Sequence, residues 1–260
     1  MKKVTKLVYA ALFSALALVL GLVQIPTPFQ FYLALDASEV VVLVAGNYFG
    51  FGVMAITIIL RSLLRFAFGI STGAAFVGEL AAIISSFIFG GIFLLIKKVS
   101  KDNEKTYKTN ILITLILLIL SIPFVLYSVK AINNPDVENG NWLILALVTV
   151  YLPIVFFILF NIFKKDFCKK NSNKILEATS AILINTVIMT LLNFLFITPT
   201  NFNGGVPATF IKMLAKYPMN IYVYTFILPL IPFNILKGVL SLIIFFMLEK
   251  TMNIVVAKNK

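Results

Sequence analysis

The chain has no histidine, a single cysteine and few charges, and each scarcity removes a class of function. Without histidine there is no imidazole for acid–base catalysis near neutral pH or for metal ligation. One cysteine, Cys168, cannot close an intramolecular disulfide, and its basic surroundings predict a reduced bystander on the cytoplasmic side. No GxxxxGK[ST] stretch is present, so no P-loop hydrolyses ATP here, and HExxH, clustered cysteines and GxSxG are missing as well. Buried carboxylates and cations without a nucleophile or metal motif do not make an enzyme, and none is expected.

Only 12% of the 260 residues are charged, whereas 60% are hydrophobic and the mean hydropathy is +1.02. Soluble domains carry about twice that charge fraction. The expected class is therefore an all-α integral membrane protein, because only helices satisfy their backbone within lipid and each crossing needs about 20 apolar residues. Apolar runs fall at roughly 7–25, 36–49, 51–69, 78–96, 110–129, 142–163, 175–198 and 222–248, which predicts about eight transmembrane helices. The second run is the shortest, with Asp36 and Glu39 near its start.

The net charge of +12 is not a nucleic-acid footprint. Of 22 Lys and Arg residues, 16 lie in four short segments, Lys2–Lys6, Lys97–Lys108, Lys164–Lys174 and Lys250–Lys260. These alternate with the apolar runs so that eight crossings place all four on one side, the cytoplasmic one by the positive-inside rule, with both termini there. Their basicity suits the anionic face of a lipid bilayer. The opening MKKVTKLVYAALFSALALVLGLV reads as an uncleaved first helix, and no lipidation motif appears.

This topology gathers the polar residues of the spans. Asp36 opens the second span; Arg61 and Arg65 share one face of the third; Glu79 begins the fourth, after Thr72 in STGAAFVGEL. Asn193 lies late in the seventh, and Asn234 and Lys237 follow Pro229 and Pro232 in the eighth. Lys237 lies ~16 Å from the inner end of its span, near the midplane. A lone charge there costs about 3 kcal/mol or more unless paired or hydrated. Broken helices at such depth are tolerated where they line a cavity. Two readings follow: buried ion pairs that fix packing, favoured for Arg61, Arg65 and Asp36, and ligand contact, favoured for Asn234 and Lys237. Asn193 and Glu79 stand between them. The outer loops QIPTPFQFYL and ITPTNFNGGVPATFIKML, rich in proline, aromatics and amides, suit a cover over a planar ligand.

The stretches AALFSALALVL, PFQFYLALDASEVVVLVAG, ILRSLLRFAFGISTGAAFVGELAA, LLNFLFITP and LPLIPFNILKG resemble, in this order, the S-components of energy-coupling factor (ECF) vitamin transporters, within them the riboflavin-specific group. The resemblance covers about 1–98 and 175–250 and implies a six-helix core in one membrane domain, with 103–172 as an inserted transmembrane hairpin. It implies capture of riboflavin from outside, beside a membrane scaffold subunit and two cytosolic ATPase subunits, in a bacterial plasma membrane, with no cofactor beyond the transported ligand. By the same resemblance Asn193, Asn234 and Lys237 would contact the ligand with Glu79 nearby, and Ala11 and Ala15 would meet the scaffold. The chain departs from that group at Arg61-Ser62, where Lys-Asn is usual, and at Ala82, where Asn is usual. Another vitamin such as folate or thiamine on the same scaffold, and an autonomous proton-coupled transporter using Glu79 or Asp36, are the competing readings.

Overall fold

The computed structural model describes residues 3–27, 33–70, 76–100, 104–116, 164–204 and 206–258. Helix α1 (Lys3–Leu22) shows how the bundle is built. Ala10, Phe13, Ser14, Ala17 and Gly21 recur at helical spacing and are buried, while Leu12, Leu16 and Val19 on the other face are exposed. Lipid is as apolar as leucine, so the buried face is chosen by size and polarity: small residues bring the backbones together. The Ser14 hydroxyl turns back to the Ala10 carbonyl at 2.7 Å, which satisfies it inside the apolar bundle.

A short antiparallel pair, β1 (Ile25–Pro26) and β2 (Ala34–Leu35), follows, with Ile25 opposite Leu35. Helix α2 (Ser38–Phe49) has 12 residues, ~18 Å, too short to cross a bilayer alone. It turns through Gly50, whose φ of 92° is left-handed, into α3 (Phe51–Ala67), and α4 (Phe76–Val99) packs against α3. Residues 104–116 are helical. The remainder of the predicted hairpin, including most of the runs 110–129 and 142–163, lies outside the described residues.

The short helix Lys165–Lys170 buries Cys168, where burial pushes the thiol pKa up and keeps it protonated. A long helix, Ser172–Leu192, then packs against α4, and the final helix, Leu230–Lys258, packs against it. Among the described residues, α1, α4, Ser172–Phe202 and Leu230–Ile254 are long and apolar enough to cross a membrane.

Helices α2, α3 and α4 meet around Met54, which is fully buried. A Cβ on Gly90 would stand 2.7 Å from the Met54 Sδ, and one on Gly46 2.8 Å from it. Gly90→Ala is therefore expected to destabilise the folded protein by about 1–3 kcal/mol, read by denaturant unfolding in detergent. Adding Met54→Ala should recover part of the loss; no recovery would show that Met54 is not what the methyl group strikes.

Candidate functional site: a polar cleft at the broken helices

Two prolines disturb the last spans at matching places. Before Pro199, residues Asn193–Ile197 widen into a π-helical turn, with the Thr198 amide bonding to the Asn193 carbonyl. The Phe194 carbonyl would next look to residue 199, but proline has no N–H to give. The Tyr222 hydroxyl takes its place, donating to the Phe194 oxygen at 2.7 Å. Before Pro229, Val223–Ile227 form a second π-helical turn, closed by the Leu228 amide on the Val223 carbonyl at 2.9 Å. The run 222–248 is thus not one continuous α-helix: the chain turns at Leu228–Pro229 and restarts at Leu230, where Pro232 occupies a first-turn position that needs no donor. Single π-turns of this kind commonly mark functional positions.

The stretch around Pro199 is folded, not open loop. Thr198–Phe202 and Phe210–Leu214 are short helices. An aromatic cluster of Phe194, Phe202, Phe210, Tyr217, Tyr222 and Phe226 joins them to the end of the bundle.

Beside this cluster lies an open cleft. Its walls come from β2 and the α2 entry (Leu33, Ala34, Asp36), α3 (Arg65), α4 (Gly78, Ala81, Ala82, Ser85), the π-turn region (Met189, Asn193, Ile197, Asn201) and the final helix (Leu230, Phe233, Asn234, Lys237). The Asn193 amide donates to the Met189 carbonyl at 2.7 Å, so one of its two N–H groups is committed to the helix. Asn234 is only 8% exposed, and no hydrogen bond to its side chain is found among the described residues. Its amide faces the cleft, where a ligand or water can reach it.

Beside the cleft runs one connected ionic network. Arg61, 1% exposed, pairs with Glu39 at 3.4 Å and donates to the hydroxyls of Ser38 at 3.0 Å and Ser86 at 2.8 Å. Ser86 in turn donates to Glu39 at 2.5 Å. Asp36 accepts from the Ser38 amide at 2.9 Å and from the Ser38 hydroxyl, as a cap at the start of α2. Arg65 lies 3.2 Å from Glu79 and 3.7 Å from Asp36. Lys237 completes the set, with its ammonium 3.8 Å from Glu39.

Of the polar residues weighed from sequence as ligand contacts or packing pairs, Asp36, Asn193, Asn234 and Lys237 line this cleft. Glu79 does not line it: it stands behind Arg65 as that residue's counterion, buried within α4. Thr72 lies outside the described residues. Ala11 and Ala15 lie on the exposed face of α1, opposite Ala10, Ser14 and Ala17. Sequence reasoning missed Glu39 as the shared partner of Arg61 and Lys237, although it falls one helical turn after Asp36. It also left open that Arg65, not Arg61, reaches the cleft.

The family model for the substrate-specific component of ECF transporters matches residues 5–249, nearly the whole chain. The chain belongs to this family. No curated protein matches the sequence. Among solved structures, one described as the S component of a bacterial ECF transporter is similar at 18% identity and a TM-score of 0.47, covering 97% of each chain. A substrate-specific component is the binding part of a membrane transporter and not an enzyme, in keeping with a site made of amides, apolar walls and paired charges.

Proposed function

We propose that this chain captures riboflavin, or a close flavin, from outside the cell for ATP-driven uptake. The observation that carries the reading is Asn234, only 8% exposed, lining the cleft with no side-chain hydrogen bond among the described residues, one helical turn from Lys237 in the cleft wall. A flavin offers what these groups lack: ring carbonyls and a ring N–H along one edge, and hydroxyls on its side chain. Phe233, Leu230 and Met189 supply apolar surface for the ring faces. Lys237 is held by Glu39 only at 3.8 Å, beyond hydrogen-bond distance, so its ammonium has donors left for a carbonyl or hydroxyl.

In this reading the energy comes from elsewhere. A scaffold subunit meets the exposed Ala11 and Ala15 of α1, where small side chains allow close helix approach, and two cytosolic ATPase subunits drive the cycle. The protein works in a bacterial plasma membrane with the Lys-rich segments and both termini inside. A proton-coupled transporter working alone would need a carboxyl that changes protonation; Asp36 and Glu79 are both engaged by Arg65, which opposes that use.

Titration of the purified full-length protein with riboflavin tests the proposal. Binding should quench flavin fluorescence to a one-to-one endpoint and leave the protein yellow after gel filtration. A folded protein that leaves the fluorescence unchanged would reject the flavin reading, and a stabilisation screen across vitamins would then find the ligand.

A further inference from the structure

The network beside the cleft contains three acids, Asp36, Glu39 and Glu79, and three bases, Arg61, Arg65 and Lys237. All six are joined through direct pairs or through Ser38, and their formal charges cancel. Three of the six, Asp36, Arg65 and Lys237, line the cleft itself. A ligand carrying a net charge would leave its hydration shell for a site with no surplus charge to receive it. A ligand with dipoles but no net charge meets donors and acceptors of both signs.

We infer that the cleft selects an uncharged ligand, and that Glu39 sets this selectivity without touching the ligand, by neutralising Lys237. Glu39 is a positioning residue here: it is absent from the cleft wall yet shares one carboxylate oxygen, Oε1, between Arg61 and Lys237. Its conversion to an amide leaves a net positive charge beside Lys237, and that charge acts through space on any anion in the cleft. The inference deepens the flavin proposal but does not stand or fall with it, because it concerns the charge of the ligand and not its ring system. Selectivity of this kind works by penalising the wrong ligand as much as by fitting the right one.

The full-length protein in nanodiscs is the material for the test. Thermal stabilisation is first read with uncharged vitamins (riboflavin, pyridoxine, nicotinamide) and charged ones (thiamine, folate, biotin, pantothenate). The expected result is that the largest shift comes from an uncharged member; a larger shift from any charged member overturns the inference. If that member is pyridoxine or nicotinamide, the flavin reading falls and the charge rule stands. The second arm compares Kd for riboflavin and for riboflavin 5′-phosphate, the same ring system with an added anion. Glu39→Gln should lower the preference for riboflavin by roughly tenfold or more, the scale of one unit charge acting over several ångströms in a partly polar interior. Glu39→Asp should keep the wild-type preference. Asp36→Asn, which leaves Arg65 its second partner Glu79, should move the preference in the same direction if Glu39→Gln folds poorly. A preference unchanged in both amide variants would show that the network is structural only.

Discussion

Asn234→Ala combined with Lys237→Met is expected to weaken ligand binding by about a hundredfold or more, with the bundle still folded. Each residue offers a hydrogen bond made in a site largely shielded from water, worth about 1–3 kcal/mol when one partner is removed, and more when that partner is charged. Two such losses amount to ~3 kcal/mol or above, which is the hundredfold figure. The single variants should differ in kind. Asn234→Ala removes a group with no intramolecular hydrogen bond among the described residues, so it should reduce affinity with little change in thermal stability. Lys237→Met also takes from Glu39 one of its two cationic partners and should reduce both. Lys237→Arg keeps the charge but changes the donor geometry, so it should preserve stability better than affinity. Flavin titration and thermal unfolding on the same samples check these outcomes. Unchanged affinity in the double variant would remove the final helix from the ligand site.

Arg61→Leu is expected to have the largest effect on stability of any single charge removal in this protein, at about 3–5 kcal/mol. Arg61 is 1% exposed and serves Glu39, Ser38 and Ser86 at once, tying α3 to α2 and α4. Its loss leaves Glu39 buried with only the distant Lys237 and one serine hydroxyl. Replacing Glu39 in the same chain by Leu should recover most of the stability, because removing both members of a buried pair is often close to neutral. Denaturant unfolding of the two variants and the wild type completes the comparison. A single variant as stable as the wild type would mean that water or lipid headgroups reach Glu39.

Much of the site was legible in the sequence for a simple reason. An ammonium, two guanidinium groups and three carboxyls within apolar runs must find partners or water, so their presence alone announces a polar place. Lys237 and Asn234 were identified by their depth in the final run and by the prolines before them, and both line the cleft. The brevity of the second run was visible too, and α2 is indeed the short helix. The role of Glu79 was not legible. Sequence left it between an ion pair and a ligand contact; its side chain pairs with Arg65, since a carboxylate four residues into α4 faces whichever neighbouring helix offers a cation. The prolines in the run 222–248 announced a break but not its form: apolar length reports that a segment sits in lipid, and a missing N–H at Pro229 decides how its backbone is wound.

The sequence by itself determined the membrane class and showed which polar residues fall inside apolar runs, because hydropathy acts along one dimension. Only the tertiary structure decided the pairing. Glu39 and Lys237 come from near opposite ends of the chain, and Arg61 and Arg65 share a helix face yet serve different carboxylates. Which charge is spent on packing and which remains for a ligand depends on distances of a few ångströms between helices. Those distances are set by small contacts such as Gly90 on Met54 and Gly238 on Ile182, which no pattern along a single helix encodes.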